Sequence, residues 1–155
     1  MTTVARISRR SNRERGNAMV EFAIAFGLLF PVFAGCFQFG YALYIYNEMQ
    51  TAVRAGARYA SLRTYNSANS TPSSDYLAAV QNTIVYGDPS GGTTPIVPGL
   101  APSNVTVGVV FDAGVPRQVT VAIENYRANA VVAMMDFATK PRVTVPYVGR
   151  FDPTV

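Results

Sequence analysis

The stretch Arg15–Tyr46 reads RGNAMVEFAIAFGLLFPVFAGCFQFGYALYIY. Its apolar part runs from Phe22 to Tyr46 and contains one clearly polar side chain, Gln38. As a helix this part would span roughly 37 Å, more than the ~30 Å hydrocarbon core of a bilayer. A cleaved secretory signal has a shorter apolar region, of about 7–15 residues. The stretch therefore predicts a transmembrane helix, which Pro31 should kink.

A carboxylate, Glu21, stands at the head of this apolar run. Placing a charge in hydrocarbon costs several kcal/mol, so a carboxylate at this position is by default a functional residue. Five residues before it stands Gly16, at the end of an arginine-rich stretch. The order of basic leader, glycine, glutamate and apolar helix indicates a chain that is cut after Gly16 and packed beside others of its kind.

The positive charge of the chain is concentrated in residues 1–16. The whole chain has a net charge of +4. The leader holds the excess, and basic and acidic residues balance in the remainder. A charge placed in this way is a targeting signal, so it gives no support to nucleic-acid binding. The leader's arginines are Arg6, Arg9, Arg10, Arg13 and Arg15, set against Glu14.

The composition argues against an enzyme. The chain has no histidine, which excludes imidazole acid–base catalysis, Ser-His-Asp triads and His-ligated metal sites. Gly91-Gly92 has neither the lysine nor the helix start of a phosphate-binding loop. The carboxylates beyond the helix are scattered, and several lie at apparent turns. We therefore expect no catalytic residue, cofactor, metal or small-molecule substrate.

The remaining sequence predicts an α+β fold: a long N-terminal transmembrane and amphipathic helix, then a small antiparallel β-sheet domain with one short helix. The long helix is expected over 17–62, and residues 63–75 read as a linker. Ser74 should cap a short helix that ends at Gly87, with Leu77, Val80 and Ile84 on one face. The Pro- and Gly-rich segment 87–103 reads as a loop.

Alternating apolar residues predict three strands. The first two, over 104–111 and 118–126, flank a turn at 112–114 and should pair antiparallel. The third, over 142–148, carries Pro146 and should lie at an edge. Residues 128–138 are apolar without a clear period, and we expect a short helix or an apolar loop there. The predicted segments are thus a leader (1–16), a helix (17–62) and an extracytoplasmic domain (63–155).

The segment from Gly16 to Phe22 resembles the processing site of type IV prepilins. Those proteins have a basic leader, a glycine before the cut, a glutamate five residues into the mature chain, and an apolar helix. The resemblance implies cleavage between Gly16 and Asn17, with Glu21 and Phe22 in peptidase recognition and assembly register. Glu21 would pair with the new α-amine on Asn17 of a neighbouring subunit, which offsets the cost of burying both charges.

A narrower resemblance is to TadE-like minor pilins, or pseudopilins, of the tight-adherence (Flp) pilus system. It is carried by Glu21-Phe22-Ala23, by a proline later in the apolar run, and by the two arginines of Ala52–Ala60, Arg54 and Arg58. This resemblance implies a pilin-like fold and a structural role. It also implies partners: the membrane, a prepilin peptidase, other pilins, and the assembly platform with its ATPase.

Further expectations concern location and helix contacts. The leader should stay in the cytoplasm and the C-terminal domain should cross the bacterial inner membrane, with later entry into an extracellular pilus left open. Arg54 and Arg58 share a helix face and either contact partners or lipid headgroups, or belong to a solvated face. Small residues at Gly27, Gly35 and Gly40 permit close helix packing.

Two alternatives remain open at this point. Phe33-Ala34-Gly35-Cys36 resembles a lipoprotein cleavage site, but the apolar run continues past Cys36 to Tyr46, whereas a lipoprotein turns polar after its cysteine. The other alternative is a plain single-pass anchor with Glu21 reaching up to the interface and an extracytoplasmic domain of unknown binding function.

Overall fold

A computed structural model describes residues 10–129, 134–137 and 139–153, with the side chains of 10–15 and 129 excepted. By its internal contacts the chain divides into two units, residues 1–39 and 40–155. The second unit is larger than the segment 63–155 assigned from sequence, because it includes the C-terminal part of the long helix. The assigned elements are helix α1 (Arg10–Leu62), helix α2 (Ser74–Tyr86), and strands β1 (Val105–Asp112), β2 (Val115–Ile123), β3 (Tyr126–Asn129), β4 (Met134–Phe137) and β5 (Arg142–Pro146).

Helix α1 ends at Leu62, as predicted, but begins at Arg10 rather than at residue 17. Residues 10–16 are therefore helical as well, because a single glycine does not stop the helix; residues 1–9 lie outside the described part. The helix continues through Pro31, and the kink there stays a prediction. Within the described residues, Gly16–Leu62 is the one stretch long and apolar enough to cross a membrane, and its most apolar window is wholly exposed.

The C-terminal part of α1 supplies one wall of the core in the second unit. Its buried residues recur at intervals of three and four, as Met49, Val53, Ala57 and Ala60, each fully buried. This spacing keeps them on one face of a helix of 3.6 residues per turn. The predicted amphipathic continuation of the apolar run is thus confirmed.

Helix α2 lies over 74–86, as predicted, but its cap is Ser73 rather than Ser74. The Ser73 hydroxyl accepts a hydrogen bond from the Tyr76 amide at 3.2 Å, and Gly87 ends the helix in a left-handed conformation. Val80 and Ile84 are fully buried as expected, whereas Leu77 is half-buried. Tyr76, which sequence reasoning did not single out, is buried beside them.

Strands β1, β2 and β5 form one antiparallel sheet in the order β1-β2-β5. The turn between β1 and β2 uses Ala113 and Gly114, both with positive φ, as a tight hairpin requires. Val105, Val107 and Val109 face the core side. Strand β5 lies at an edge, where Pro146 lacks an N–H that a further strand would need. The three predicted strands are confirmed, although β2 begins at Val115 and ends at Ile123.

Strands β3 and β4 form a separate antiparallel hairpin. The expectation of a short helix or loop over 128–138 is therefore wrong for the strand residues; residues 130–133 and 138 lie outside the described part. Tyr126 and Ala128 are buried and Phe137 is half-buried, so the period of two is present once the strands are aligned. Its signal is weak in the sequence because the outward position 134 also holds an apolar residue, Met134.

The segment after α1, which the sequence predicts to be a linker, is held in place by hydrogen bonds to the segment that follows β5. Tyr65 is fully buried, and its amide donates to the Arg150 carbonyl at 2.9 Å. The Asp152 amide donates back to the Tyr65 carbonyl at 3.0 Å. Gly149 allows this approach, since a Cβ there would lie 2.7 Å from the Arg63 carbonyl oxygen. Burial raises the pKa of two tyrosine hydroxyls in this region, those of Tyr65 and Tyr147.

The loop 87–103 contributes to the core although it contains little regular structure. Val97 and Leu100 are buried, and the Tyr126 hydroxyl donates to the Pro98 carbonyl at 2.8 Å. A single 3₁₀ turn, Pro102–Asn104, leads into β1. The loop is therefore held by packing and by side-chain hydrogen bonds.

The capping assignment gives a paired test. Ser73→Ala should lower the free energy of unfolding by about 1 kcal/mol, because it removes the acceptor for the Tyr76 amide. Ser74→Ala, one position further on and exposed, should change it by less than about 0.5 kcal/mol. Denaturant unfolding of the detergent-solubilised chain, followed by tyrosine circular dichroism, measures both. A larger loss for Ser74→Ala than for Ser73→Ala would contradict the assignment.

Candidate functional site

The predicted processing segment, Gly16 to Phe22, lies within α1 and is exposed. The Asn17 side-chain amide donates a hydrogen bond of 3.0 Å to Glu21 Oε1. The two residues are four apart, so they face each other across one helical turn. Glu21 thus has a hydrogen-bond partner within its own chain. Sequence reasoning assigned Asn17 only as the source of an α-amine, although the spacing of four could have indicated this second role.

No residue in the described part of the chain packs closely enough to require a glycine at position 16. A Cβ built on it meets nothing within 4 Å. Glycine in a helix interior is also less favourable than alanine by about 1 kcal/mol. A glycine there makes local unwinding of the helix easier.

Phe22 begins a row of exposed aromatic side chains on one face of α1. Its ring centroid lies 6.0 Å from that of Phe26, and the rings of Phe26 and Phe30 lie 5.4 Å apart, stacked in both cases. More than half of each of these side chains is exposed. Burial of an aromatic ring is strongly favourable, so this row suits hydrocarbon or another protein surface rather than water. The apolar helix accordingly suggests that the chain is anchored in a membrane.

A second face of the same segment is nearly flat. Gly27, Pro31 and Gly35 follow at intervals of four, and each glycine would meet nothing within 4 Å if a Cβ were added. At 100° per residue this row lies about 140° around the helix from the aromatic row. Gly40 is equally open but lies on the aromatic side. A side chain added at any of these glycines, which were predicted to pack, would thus meet no neighbour in the described part of the chain.

The two-arginine segment, Ala52–Ala60, divides into a buried and an exposed face. Arg54 and Arg58 are exposed, and among the described residues neither takes part in an ion pair. Gly56 is buried on the other face, where a Cβ would overlap the side chain of Ile84 in α2. The Tyr76 hydroxyl, also from α2, donates to the Ala60 carbonyl. The small residues of this segment therefore serve the helix–helix contact, a role that the sequence does not reveal without the position of α2.

The charged and polar side chains near the end of α1 contact one another. A surface cavity of about 390 Å³ is lined by Arg63, Thr64 and Asn66. The Arg63 guanidinium donates to the Tyr59 hydroxyl and lies 5.7 Å from the centre of its ring, while Asn66 accepts from Ser73. These contacts hold the end of the helix together. Within the ranges that the structure describes, no three His, Cys, Asp or Glu residues are grouped to hold a metal ion.

The contact at Gly56 can be tested by overpacking. Gly56→Val should lower the free energy of unfolding by about 1–3 kcal/mol, because the added methyl groups displace Ile84. Denaturant unfolding in detergent measures it. Ala55→Val, at the exposed neighbouring position, controls for the lower helix propensity of valine, and Arg54→Ala should stay within about 0.5 kcal/mol.

A double-mutant cycle then assigns the loss to Ile84. Combining Gly56→Val with Ile84→Ala should cost less than the sum of the two single changes, because the smaller residue leaves room for the larger one. Additive costs would contradict a direct contact between these two positions.

Comparison with known proteins supports the N-terminal assignment. The model of a family described as TadE-like protein matches residues 16–58. The match begins at Gly16, runs through Glu21 and the apolar helix, and ends at Arg58. No curated protein and no solved structure matches the chain. Over residues 16–58 this chain is similar to TadE-like proteins, and that family suggests an association with a Tad pilus system and with the membrane.

Proposed function

We propose that the chain is a minor pilin, or pseudopilin, of a tight-adherence pilus system, with a structural rather than a catalytic role. In this proposal a prepilin peptidase cuts between Gly16 and Asn17, and the remaining chain waits in the inner membrane as a single-pass subunit. The observation that carries the proposal is the family match that begins at Gly16, followed directly by Glu21 at the head of an exposed apolar helix.

The proposed topology follows from the charge distribution. The arginine-rich leader precedes the apolar run, and positively charged flanks remain on the cytoplasmic side. The C-terminal unit then lies outside the cytoplasm. Arg54, Arg58 and Arg63 on the far side oppose this orientation, but the leader's five arginines outnumber them.

Assembly in this proposal depends on what covers the two exposed faces of α1. The flat row at Gly27, Pro31 and Gly35 allows a neighbouring helix to approach closely. The aromatic row beginning at Phe22 offers large apolar side chains to such a surface. Glu21 then lies beside the cut end of a neighbour, where a positively charged amine offsets the burial of its carboxylate.

In this proposal two different donors of Asn17 compete for Glu21: the side-chain amide of the same chain and the α-amine of a neighbouring subunit. In the uncut helix the Asn17 side-chain amide holds the carboxylate at 3.0 Å. After the cut, Asn17 carries an α-amine as well, and only this group brings a positive charge. The amine adds the attraction between opposite charges, which the neutral amide lacks, so the amine of a neighbour competes well against the amide of the same chain.

N-terminal mass spectrometry of the native protein tests the processing step. We expect a chain that begins at Asn17, and full-length protein when the peptidase is inactive. Gly16→Trp should block the cut, because the bulky ring obstructs the scissile bond, whereas Gly35→Trp in the same helix should be cut normally. Cleavage of Gly16→Trp after residue 16 would contradict the proposed site, and a lipid-modified Cys36 at the N-terminus would support the lipoprotein alternative.

The charge of Glu21 is tested separately by an isosteric change. Glu21→Gln keeps an acceptor for the Asn17 amide but has no charge to pair with an amine. Both Glu21→Gln and Glu21→Ala should insert into the membrane normally. Both should lower the yield of subunit copurified with the pilus components at least about tenfold, since leaving one member of a buried pair uncompensated costs roughly 3–5 kcal/mol. Normal copurification of Glu21→Gln would show that the charge is dispensable.

A further inference from the structure

The β3–β4 hairpin lies against the last turns of the apolar part of α1. The ring of Phe137 stacks on that of Tyr46 with centroids 6.3 Å apart, and on that of Tyr126 at 6.1 Å. Tyr126 in turn is buried, and Tyr41 packs against the same core. The hairpin is thereby fixed beside Tyr41–Tyr46, the segment in which the apolar run of the sequence ends.

This segment falls at the depth of the lipid headgroups when the apolar run crosses a membrane. Counted from Phe22 at ~1.5 Å per residue, the ~30 Å hydrocarbon core ends near Tyr41. The residues from Ala42 to Tyr46 then span roughly 7 Å, which is the thickness of one interfacial layer. Tyr44, exposed on the free side of the helix, is a residue type that is enriched at this depth.

The outward face of the hairpin fits the same layer. Met134 is 71% exposed, one of the most exposed apolar side chains of the second unit. At ~3.3 Å per residue it is no more than about 10 Å along β4 from Phe137. On the same face Arg127 and Asp136 form an exposed ion pair of 3.4 Å. An exposed apolar side chain beside paired charges suits the boundary between acyl chains and headgroups, which solvates both kinds of group.

We propose that the β3–β4 hairpin is a second membrane contact, which places Met134 at the phospholipid interface beside the point where α1 leaves the bilayer. The occupant of this surface is lipid, because Phe137 of the hairpin stacks on Tyr46, within the stretch of α1 that is long and apolar enough to cross a membrane. The inference rests on the membrane anchoring of α1 and not on cleavage or on pilus assembly. The contact would fix the height of the C-terminal unit above the membrane while the subunit is anchored there.

The absence of tryptophan from the chain allows a direct test with single-tryptophan variants. The full-length protein is placed in lipid nanodiscs that hold one chain each, which removes a second copy as an alternative occupant. Quenching by phospholipids brominated near the headgroup is then measured for Met134→Trp. Tyr44→Trp reports on the anchor itself. Val148→Trp is the matched control, because Val148 is 67% exposed and its amide bonds to the Ser61 carbonyl, ~22 Å further along α1 than Tyr46.

We expect Met134→Trp and Tyr44→Trp both to be strongly quenched, as tryptophans at the membrane interface should be, and Val148→Trp to keep nearly all of its emission. If Met134→Trp is quenched no more than Val148→Trp while Tyr44→Trp is quenched, the hairpin does not touch lipid and the inference is overturned. If Tyr44→Trp is also unquenched, the anchor is misplaced and the inference falls with it. Either result leaves the cut after Gly16 to be decided by the N-terminal mass.

Discussion

Ile84 rests on the bare backbone of Gly56, and α1 and α2 can approach so closely only because that position has no side chain. The contact is reinforced one turn further along α1, where the Tyr76 hydroxyl bonds to the Ala60 carbonyl. With the two helices held together, Val80 of α2 and Val53 of α1 become fully buried in a common core with the sheet. A larger residue at Gly56 would separate the helices and expose this core, so the C-terminal unit depends on this contact.

The glycines of α1 have two different physical explanations. Gly56 is small because another part of the same chain occupies the space beside it. Gly27 and Gly35 have open space beside them, so their small size serves no contact with the residues that the structure describes. A sequence pattern of small residues looks the same in both cases. Only the position of α2 separates the residue that stabilises the fold from the residues that leave room for something outside it.

Much of the fold could be predicted from sequence because its signals are local. The apolar run, the ending of α2 at Gly87 and the alternation of Val105, Val107 and Val109 each depend on neighbours in the chain. The hairpin of β3 and β4 could not be predicted, since its pattern appears only when Tyr126 is set opposite Phe137. The burial of Tyr65 was missed for the same reason, because its partners come from the far end of the chain. In the candidate site, Glu21 could be identified from its place in the run, whereas the packing role of Gly56 required a second helix.

The pairing of Tyr65 with Arg150 and Asp152 has a consequence for the order in which the chain acquires its structure. Synthesis proceeds from the N-terminus, so Arg150 and Asp152 are made well after Tyr65. Tyr65, Tyr76 and Phe111, whose rings pack together in the folded unit, therefore leave the ribosome before the segment that pairs with Tyr65. The unit cannot close stepwise as the chain emerges, and this part of its core is completed only after Asp152 has been added.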